Sequence, residues 1–338
     1  MIDLRSDSSS TPTQEMIESI RQARLGNDGF GEDPTVNELQ SLAARMLGKE
    51  AALLVPSGTQ GNLICVLAQT RGGRSVIGEK DSHIFHSEDN NFVDFGHLRA
   101  IPIRGTRGVM NIADVQDQLE AVKDVDLVVL ENTHNMAGGT IVPLENVREI
   151  KKISESHGAK LHIDGSRIFN AAAALNVGAD KLVEPADTVM FCLSKGLCAP
   201  VGSMIAGSQE FIESARVWRR KLGGQMRQAG IIAAPGIIAL KKMVGRLSED
   251  HSKALYFAEE LSDCDGLSID METVQTNIVM LDTSKTRVNA AQLVSRARES
   301  GIALLQFDDK IVRAVFYKDI TQEDVELAIK TICKILAH

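Results

Sequence analysis

Short apolar segments recur along this chain, separated by stretches with helical periodicity. Ala51–Val55 and the segments 126–130, 159–163 and 187–193 carry apolar side chains at both odd and even positions. A strand with no polar face must be covered on both sides. Parallel sheets with helices on both faces meet that requirement. The pattern therefore predicts an α/β fold built on a large, mostly parallel sheet covered by helices. Near Ser248 the character changes. The remainder reads helix, strand, strand, helix, strand, helix, with 275–281 and 311–315 as strands. This predicts two domains: residues 1–247, an N-terminal arm plus the large domain, and residues 248–338, a smaller α+β domain. A length of 338 residues is ample for both.

Local signals place the helices. Thr11-Pro12-Thr13-Gln14 reads as a helix start, with a threonine cap, proline in the first turn and a glutamine at the capping-box position. Thr35-Val36-Asn37-Glu38 repeats that logic. Val36, Leu39, Ala43 and Met46 then share one helical face, and Gly48 ends it.

Charge and cysteine content narrow the function classes. The formal net charge is -8, so nucleic acid or an anionic membrane is a poor partner. The basic run 216–221 does not reverse that balance. No apolar run is long enough to span a bilayer, and residues 1–5 lack a basic-then-apolar secretory pattern. Cys65, Cys192, Cys198, Cys264 and Cys333 are odd in number, widely spaced and free of any CxxC pair. They read as reduced thiols of a cytoplasmic protein, with no zinc site or other metal expected. Cys65, Cys192 and Cys333 read as small core residues.

The chemistry is written at strand ends. Lys195 lies where the apolar segment 187–193 runs into a Gly/Pro turn. A lysine is poorly tolerated beside a buried strand end, yet becomes useful there if its amine is desolvated and bonded to a carbonyl. Asp164 closes another apolar strand. A strand-end lysine to hold an aldehyde and a strand-end carboxylate to keep a pyridine nitrogen protonated are what pyridoxal 5'-phosphate (PLP) requires. In an open parallel sheet, ligands sit beyond the carboxyl ends of the strands. Ser57-Gly58-Thr59, His83, Glu131-Asn132-Thr133-His134, Asp164-Gly165-Ser166-Arg167 and Ser194-Lys195 fall there in order. Free amides at Gly58 and Thr59, opening a helix, suit a phosphate.

The chain resembles the threonine aldolases, PLP-dependent enzymes of the aspartate-aminotransferase-like superfamily (fold type I). The resemblance runs from residue 3 to about residue 320 and rests on ordered motifs. These are Asp3-Leu4-Arg5-Ser6-Asp7, Gly31-Glu32-Asp33-Pro34-Thr35, Val55-Pro56-Ser57-Gly58-Thr59 and Glu131-Asn132-Thr133-His134-Asn135. His162-Ile163-Asp164-Gly165-Ser166-Arg167, Ser194-Lys195-Gly196-Leu197 and Gly223-Gly224-Gln225-Met226-Arg227-Gln228-Ala229-Gly230 complete the set.

The resemblance implies roles at matching positions. Lys195 would form the Schiff base with PLP, Asp164 would bind the pyridine nitrogen, and His83 would stack on the ring near the substrate hydroxyl. Ser57, Gly58 and Thr59 would hold the phosphate. Ser6, Arg167 and Arg313 would bind the amino-acid carboxylate, since a guanidinium fork matches it in two bonds. Lys221 and Arg227 would reach the cofactor phosphate of a neighbouring subunit. A homo-oligomer with shared active sites, a dimer or a dimer of dimers, follows. Apart from the resemblance, Asp7 and Arg5 read as residues that fix the N-terminal arm rather than do chemistry, and His134 as a brace for its loop. The implied activity is retro-aldol cleavage of L-threonine, L-allo-threonine or a related β-hydroxy-α-amino acid to glycine and an aldehyde. A β-eliminating lyase or an aminotransferase is the alternative.

Departures from the usual family pattern cluster on the substrate side. The segment 121–125 lacks the usual loop histidine, and Phe30 replaces a tyrosine. Asp89-Asn90-Asn91 stands where a glycine pair is favoured. Ser166 stands for alanine, Cys198 for glycine, and Ala314-Val315-Phe316-Tyr317 for Leu-Val-Thr-His.

Overall fold

The computed structural model of the chain describes residues 1–264 and 266–337. Its strands are β1 (Ile2–Asp3), β2 (Ala51–Val55), β3 (Ser75–Glu79), β4 (Arg99–Ile103), β5 (Val125–Glu131) and β6 (Lys160–Asp164). They continue with β7 (Thr188–Cys192), β8 (Ser203–Gly207), β9 (Ile278–Asp282), β10 (Ile302–Ala303), β11 (Leu305–Gln306) and β12 (Ile311–Val315). Seven of them form one sheet in the order β2-β8-β7-β6-β5-β3-β4. Only β8 runs against its neighbours, pairing antiparallel with both β2 and β7.

Alternate side chains of each central strand enter different cores. On β5, Val128 and Leu130 join one apolar cluster, while Leu127 and Val129 join another on the opposite face. On β7, Val189 and Phe191 point to the first cluster, and Met190 and Cys192 to a third. Helices Pro34–Met46, Ile168–Leu175 and Gly230–Ile238 cover the first face. Gly58–Gln69 and Gln209–Lys221 cover the other. Each fully buried Val, Leu or Phe contributes about 1.5–3 kcal/mol, so the all-apolar strands that predicted this sheet also stabilise it.

Beyond helix Leu247–Ser262 a separate apolar cluster gathers Phe257, Leu281, Leu293, Val312, Phe316 and Ile332 around the antiparallel sheet β11-β12-β9. Leu4 packs into this cluster, and β1 pairs in parallel with β10. The predicted element order needs correction here. Helix Ala290–Glu299 follows β9 directly, and the short strands β10 and β11 come after that helix. The strand predicted at 275–281 begins only at Ile278. Thr276 and Asn277 instead tie side chains outward, to the carbonyl of Gly139 and to Asp7.

Both capping assignments shift as well. Thr13 caps helix Gln14–Gln22, accepting from the Met16 amide at 3.2 Å, so Pro12 lies outside the helix. Asp33 caps Pro34–Met46, accepting from the amides of Thr35 and Val36 at 3.1 Å. Its second oxygen accepts from Gly26 and Gly230.

The reading of all five cysteines as free thiols is overturned. Cys264 and Cys333 are joined in a disulfide across 69 residues of sequence, with their Cα atoms 5.6 Å apart. Helices Leu247–Ser262 and Gln322–Leu336 pack together and bring the two residues into reach, which spacing along the chain does not reveal. Cys65, Cys192 and Cys198 are free and buried. Among the described residues, no helix is long and apolar enough to cross a membrane.

Candidate active site

The carboxyl ends of the parallel strands open onto a cleft of about 280 Å³. Its lining includes Ser57, Gly58, Thr59, His83, Ser166 and Lys195. These six sequence-derived residues, from four separate segments, therefore meet in one place, and Asp164 lies just beneath, bonded to Asn62 and Ser166.

Lys195 sits in the hairpin 193–202 between β7 and β8. Cys198 closes the turn by donating its amide to the Lys195 carbonyl at 2.8 Å, and the Ser10 hydroxyl donates to the same oxygen at 2.7 Å. Cys198 has φ 64°, a left-handed conformation costly for a residue with a Cβ, which explains why glycine suits this position. Asp89 and Asn90 likewise have φ 52° and 54° where a glycine pair is usual.

Ser57 caps helix Gly58–Gln69, accepting from the Gln60 amide at 3.2 Å. The first-turn amides of Gly58 and Thr59 have no acceptor within the helix. A Cβ at residue 58 would lie 3.0 Å from Cys192 Sγ, so any side chain there would need Cys192 to give way by a few tenths of an ångström at the end of β7.

Asp164 is buried at the end of β6. One oxygen accepts from the Ser166 amide at 3.1 Å and its hydroxyl at 2.9 Å, and the other from Asn62 Nδ2 at 2.9 Å. Burial opposes ionisation, but the charges of His83 and Lys195 outweigh it and hold the carboxyl below its ordinary value. His83 follows β3. Its Nδ1 lies 2.9 Å from Glu88, which raises the imidazole pKa, and its amide donates to Glu131. Burial pushes the Glu88 carboxyl up. The two carboxylates are thus driven apart, Glu88 toward protonation and Asp164 away from it. His83, Glu88 and Asp164 hold their polar atoms within 4.8 Å of one another.

A second polar group forms outside the cleft lining. Arg167 Nε and Nη2 each donate to a different oxygen of Asp7 at 2.7 Å. Arg313 Nη1 donates to Asn135 Oδ1 at 2.8 Å, which also accepts from Arg167 Nη1 at 3.3 Å. Arg313 Nη2 donates to the Arg5 carbonyl, and its buried Nε has no partner. Burial and the neighbouring Arg167 lower the Arg313 pKa to about 10. Ser6 accepts from the Ser8 amide and hydroxyl and contacts neither arginine by hydrogen bond. Asp7 ties the arm down, but it does so on Arg167 itself.

Lys221 and Arg227 lie away from the cleft of their own chain. Lys221 Nζ sits 4.4 Å above the Trp218 ring, and Arg227 borders Gly29 beside a separate hollow of about 370 Å³. Phe30, 75 % exposed, borders the same hollow. His134 is buried with Nε2 2.9 Å from Glu79 and braces its loop, as expected. Sequence reasoning missed Asn62, Glu88 and Asn135. Asn62 carried a signal, being a polar residue inside the apolar run 61–67. Glu88 did not, because its link to His83 depends on how the short helix His83–His86 turns.

A sequence model of the beta-eliminating lyase family matches residues 3–285. The chain is 39% identical over 334 residues to the low-specificity L-threonine aldolase 1 of Arabidopsis thaliana, covering 96% of this chain and 93% of that protein. It is 36% identical over 330 residues to the low specificity L-threonine aldolase of Escherichia coli K12, covering 96% of each. Among solved structures, the threonine aldolase of Leishmania major shares the fold with a TM-score of 0.85 at 16% identity, covering 99% of this chain and 100% of that one. With strand-end lysine and aspartate brought together on one cleft, and with matches along nearly the whole of its length, the chain belongs to the threonine aldolases of the beta-eliminating lyase family.

Proposed function

We propose that the protein is a PLP-dependent lyase that cleaves L-threonine, L-allo-threonine or a related β-hydroxy-α-amino acid to glycine and an aldehyde. The observation that carries this reading is the convergence of Lys195, the Gly58 helix start and His83 on one cleft, with Asp164 held anionic beneath it. This donor set fits PLP. The helix start offers free amides and no side chain for a phosphate, Lys195 offers an amine for the aldehyde, and Asp164 offers a carboxylate for a ring nitrogen. When bound, PLP supplies an electron sink for the bonding pair released at Cα.

The chain's own residues do the rest. Arg313, whose buried Nε has no partner, is the arginine with donor capacity to spare for the substrate carboxylate, while the fork of Arg167 is already engaged by Asp7 and its Nη1 by Asn135. Ser6 stands between Arg5, whose carbonyl accepts from Arg313, and Asp7, which accepts from Arg167. This grip fixes which bond at Cα is aligned for cleavage. Glu88 holds His83 Nδ1, so Nε2 is the ring nitrogen left to take the β-hydroxyl proton. That oxygen then becomes the aldehyde carbonyl as the Cα–Cβ bond breaks, and Cα gains a proton to leave as glycine.

The division at 247/248, a cytoplasmic setting and a homo-oligomer complete the proposal. In a dimer or dimer of dimers, Lys221 and Arg227 serve a neighbour's phosphate. Their positions outside their own cleft and the exposed Phe30 beside them support this.

The test is aldehyde release by the PLP-loaded protein from L-threonine, L-allo-threonine and L-phenylserine. Glycine and aldehyde in equal amounts are expected. Ammonia with a keto acid would replace this reading with β-elimination, and conversion of PLP to its amine form by amino acid alone would replace it with transamination.

A further inference from the structure

Behind Asp164 a chain of polar groups, buried but for the half-buried Gln69, runs between helix Gly58–Gln69 and strands β6 and β7, and none of them has a role in the reaction as described. Asn62 is 1 % exposed. Its Nδ2 lies 2.9 Å from Asp164 Oδ2 and 3.0 Å from Glu88 Oε1. Both neighbours are carboxylate oxygens, so the NH₂ group must face them. That leaves Asn62 Oδ1 toward His162 Nε2, at 3.2 Å. His162 is fully buried, and burial takes its pKa down to about 4, so the neutral ring carries a single hydrogen. An acceptor at 3.2 Å places that hydrogen on Nε2. Nδ1 must then accept, and the Thr188 hydroxyl lies 2.9 Å away to donate. Gln69 Nε2 donates in turn to Thr188 Oγ1 at 2.8 Å. Gln69 Nε2 also donates to the Cys65 carbonyl at 2.9 Å, while its buried Oε1 has no partner; from Gln69 to Asn62 the donors then run in one sense.

We infer that Asn62 is a positioning residue: its amide, held in one orientation by His162, Thr188 and Gln69, fixes the carboxylates of Asp164 and Glu88 relative to each other. Asp164 reaches the cofactor and Glu88 orients His83, so Asn62 links the group that holds the ring to the group that moves the substrate proton. The role assigned to those two carboxylates rests on the cofactor reading above; the orientation of the chain does not. A network satisfied in a single sense loses more on deletion of one member than a lone hydrogen bond does. Losing a hydrogen bond to a buried ionised carboxylate is worth roughly 10- to 100-fold in an equilibrium or rate.

Two measurements test this separately. The first uses the protein without PLP and reads the ring ¹⁵N shifts of His162. A hydrogen fixed on Nε2 through the neutral pH range is expected. A hydrogen on Nδ1, or a tautomer mixture, would overturn the inference whatever the cofactor chemistry. The second compares Asn62→Ala, the near-isosteric Asn62→Asp and Thr188→Val after PLP loading, as kcat against KM. For both Asn62 variants kcat should fall roughly 10- to 100-fold while KM stays within about threefold, because the arginines that grip the substrate are untouched. Thr188→Val, which keeps the side-chain volume, should lower kcat less and in the same direction. Wild-type kcat in a folded Asn62→Asp or Thr188→Val protein, or a loss carried by KM alone, would sink the positioning role. Failure of the wild type to bind PLP would instead count against the cofactor reading and leave the His162 result standing.

Discussion

Arg167 and Asp7 form a two-pronged ion pair, with both prongs at 2.7 Å and both side chains almost completely buried. Burial raises the cost of charging Asp7, yet Arg167 outweighs it and holds the carboxyl at about 2. Asp7→Asn leaves a buried guanidinium unpaired, at a cost of about 3–5 kcal/mol. The folded-state pKa is depressed, so the stabilisation is complete above the ordinary carboxylate value and lost as pH falls toward 2. Urea unfolding of wild type and variant should show a gap at neutral pH that narrows below about pH 4. A gap that stays constant on acidification would show that the pair is not its source.

Arg313→Lys should raise the KM for the amino-acid substrate about tenfold and change kcat less, because a point charge cannot match a carboxylate as a planar fork does. Steady-state kinetics on the PLP-loaded protein checks this. An unchanged KM would remove Arg313 from the substrate grip.

Glu88→Gln should lower the titration midpoint of His83, read by NMR of the imidazole. The Glu88 hydrogen bond, with Asp164 and Glu131 behind it, is what lifts His83 above its ordinary 6.5. The associated stabilisation is present below that value and fades as pH rises through the raised one. A midpoint that rises in the variant would contradict this account of His83.

Gly165→Ala would place a Cβ 2.8 Å from the Met190 carbonyl oxygen, the acceptor of the Gly165 amide itself. Backbone cannot yield as a side chain tip does, so β6 and β7 must separate beside Asp164. A loss of about 1–3 kcal/mol is expected, together with weaker PLP binding. Thermal unfolding and a cofactor titration measure the two effects, and normal values for both would mean the strands have slack here.

The sheet was legible because apolar residues on both faces of 126–130 and 187–193 leave few alternatives to a covered parallel sheet. The cleft was legible because its residues end successive strands. Other features depend on contacts between distant segments. Asp7 was read as a tether for the arm, and only the fold shows that its anchor is Arg167. Cys264 and Cys333 read as reduced thiols from an odd cysteine count, wide spacing and no CxxC pair, yet two packed helices bring them together across 69 residues. Strand β8 is short, and its antiparallel course follows from the hairpin that carries Lys195. Thr11 and Thr35 offered plausible caps, but Thr13 and Asp33 stand immediately before the helices they cap.

Reduction of the PLP-loaded protein with borohydride, followed by peptide mapping, tests the central claim most directly. A Schiff base would be trapped as a stable amine on the lysine that forms it. The account predicts a single labelled peptide containing Lys195 and no labelling in Lys195→Ala. Labelling on another lysine, or full labelling in that variant, would contradict it.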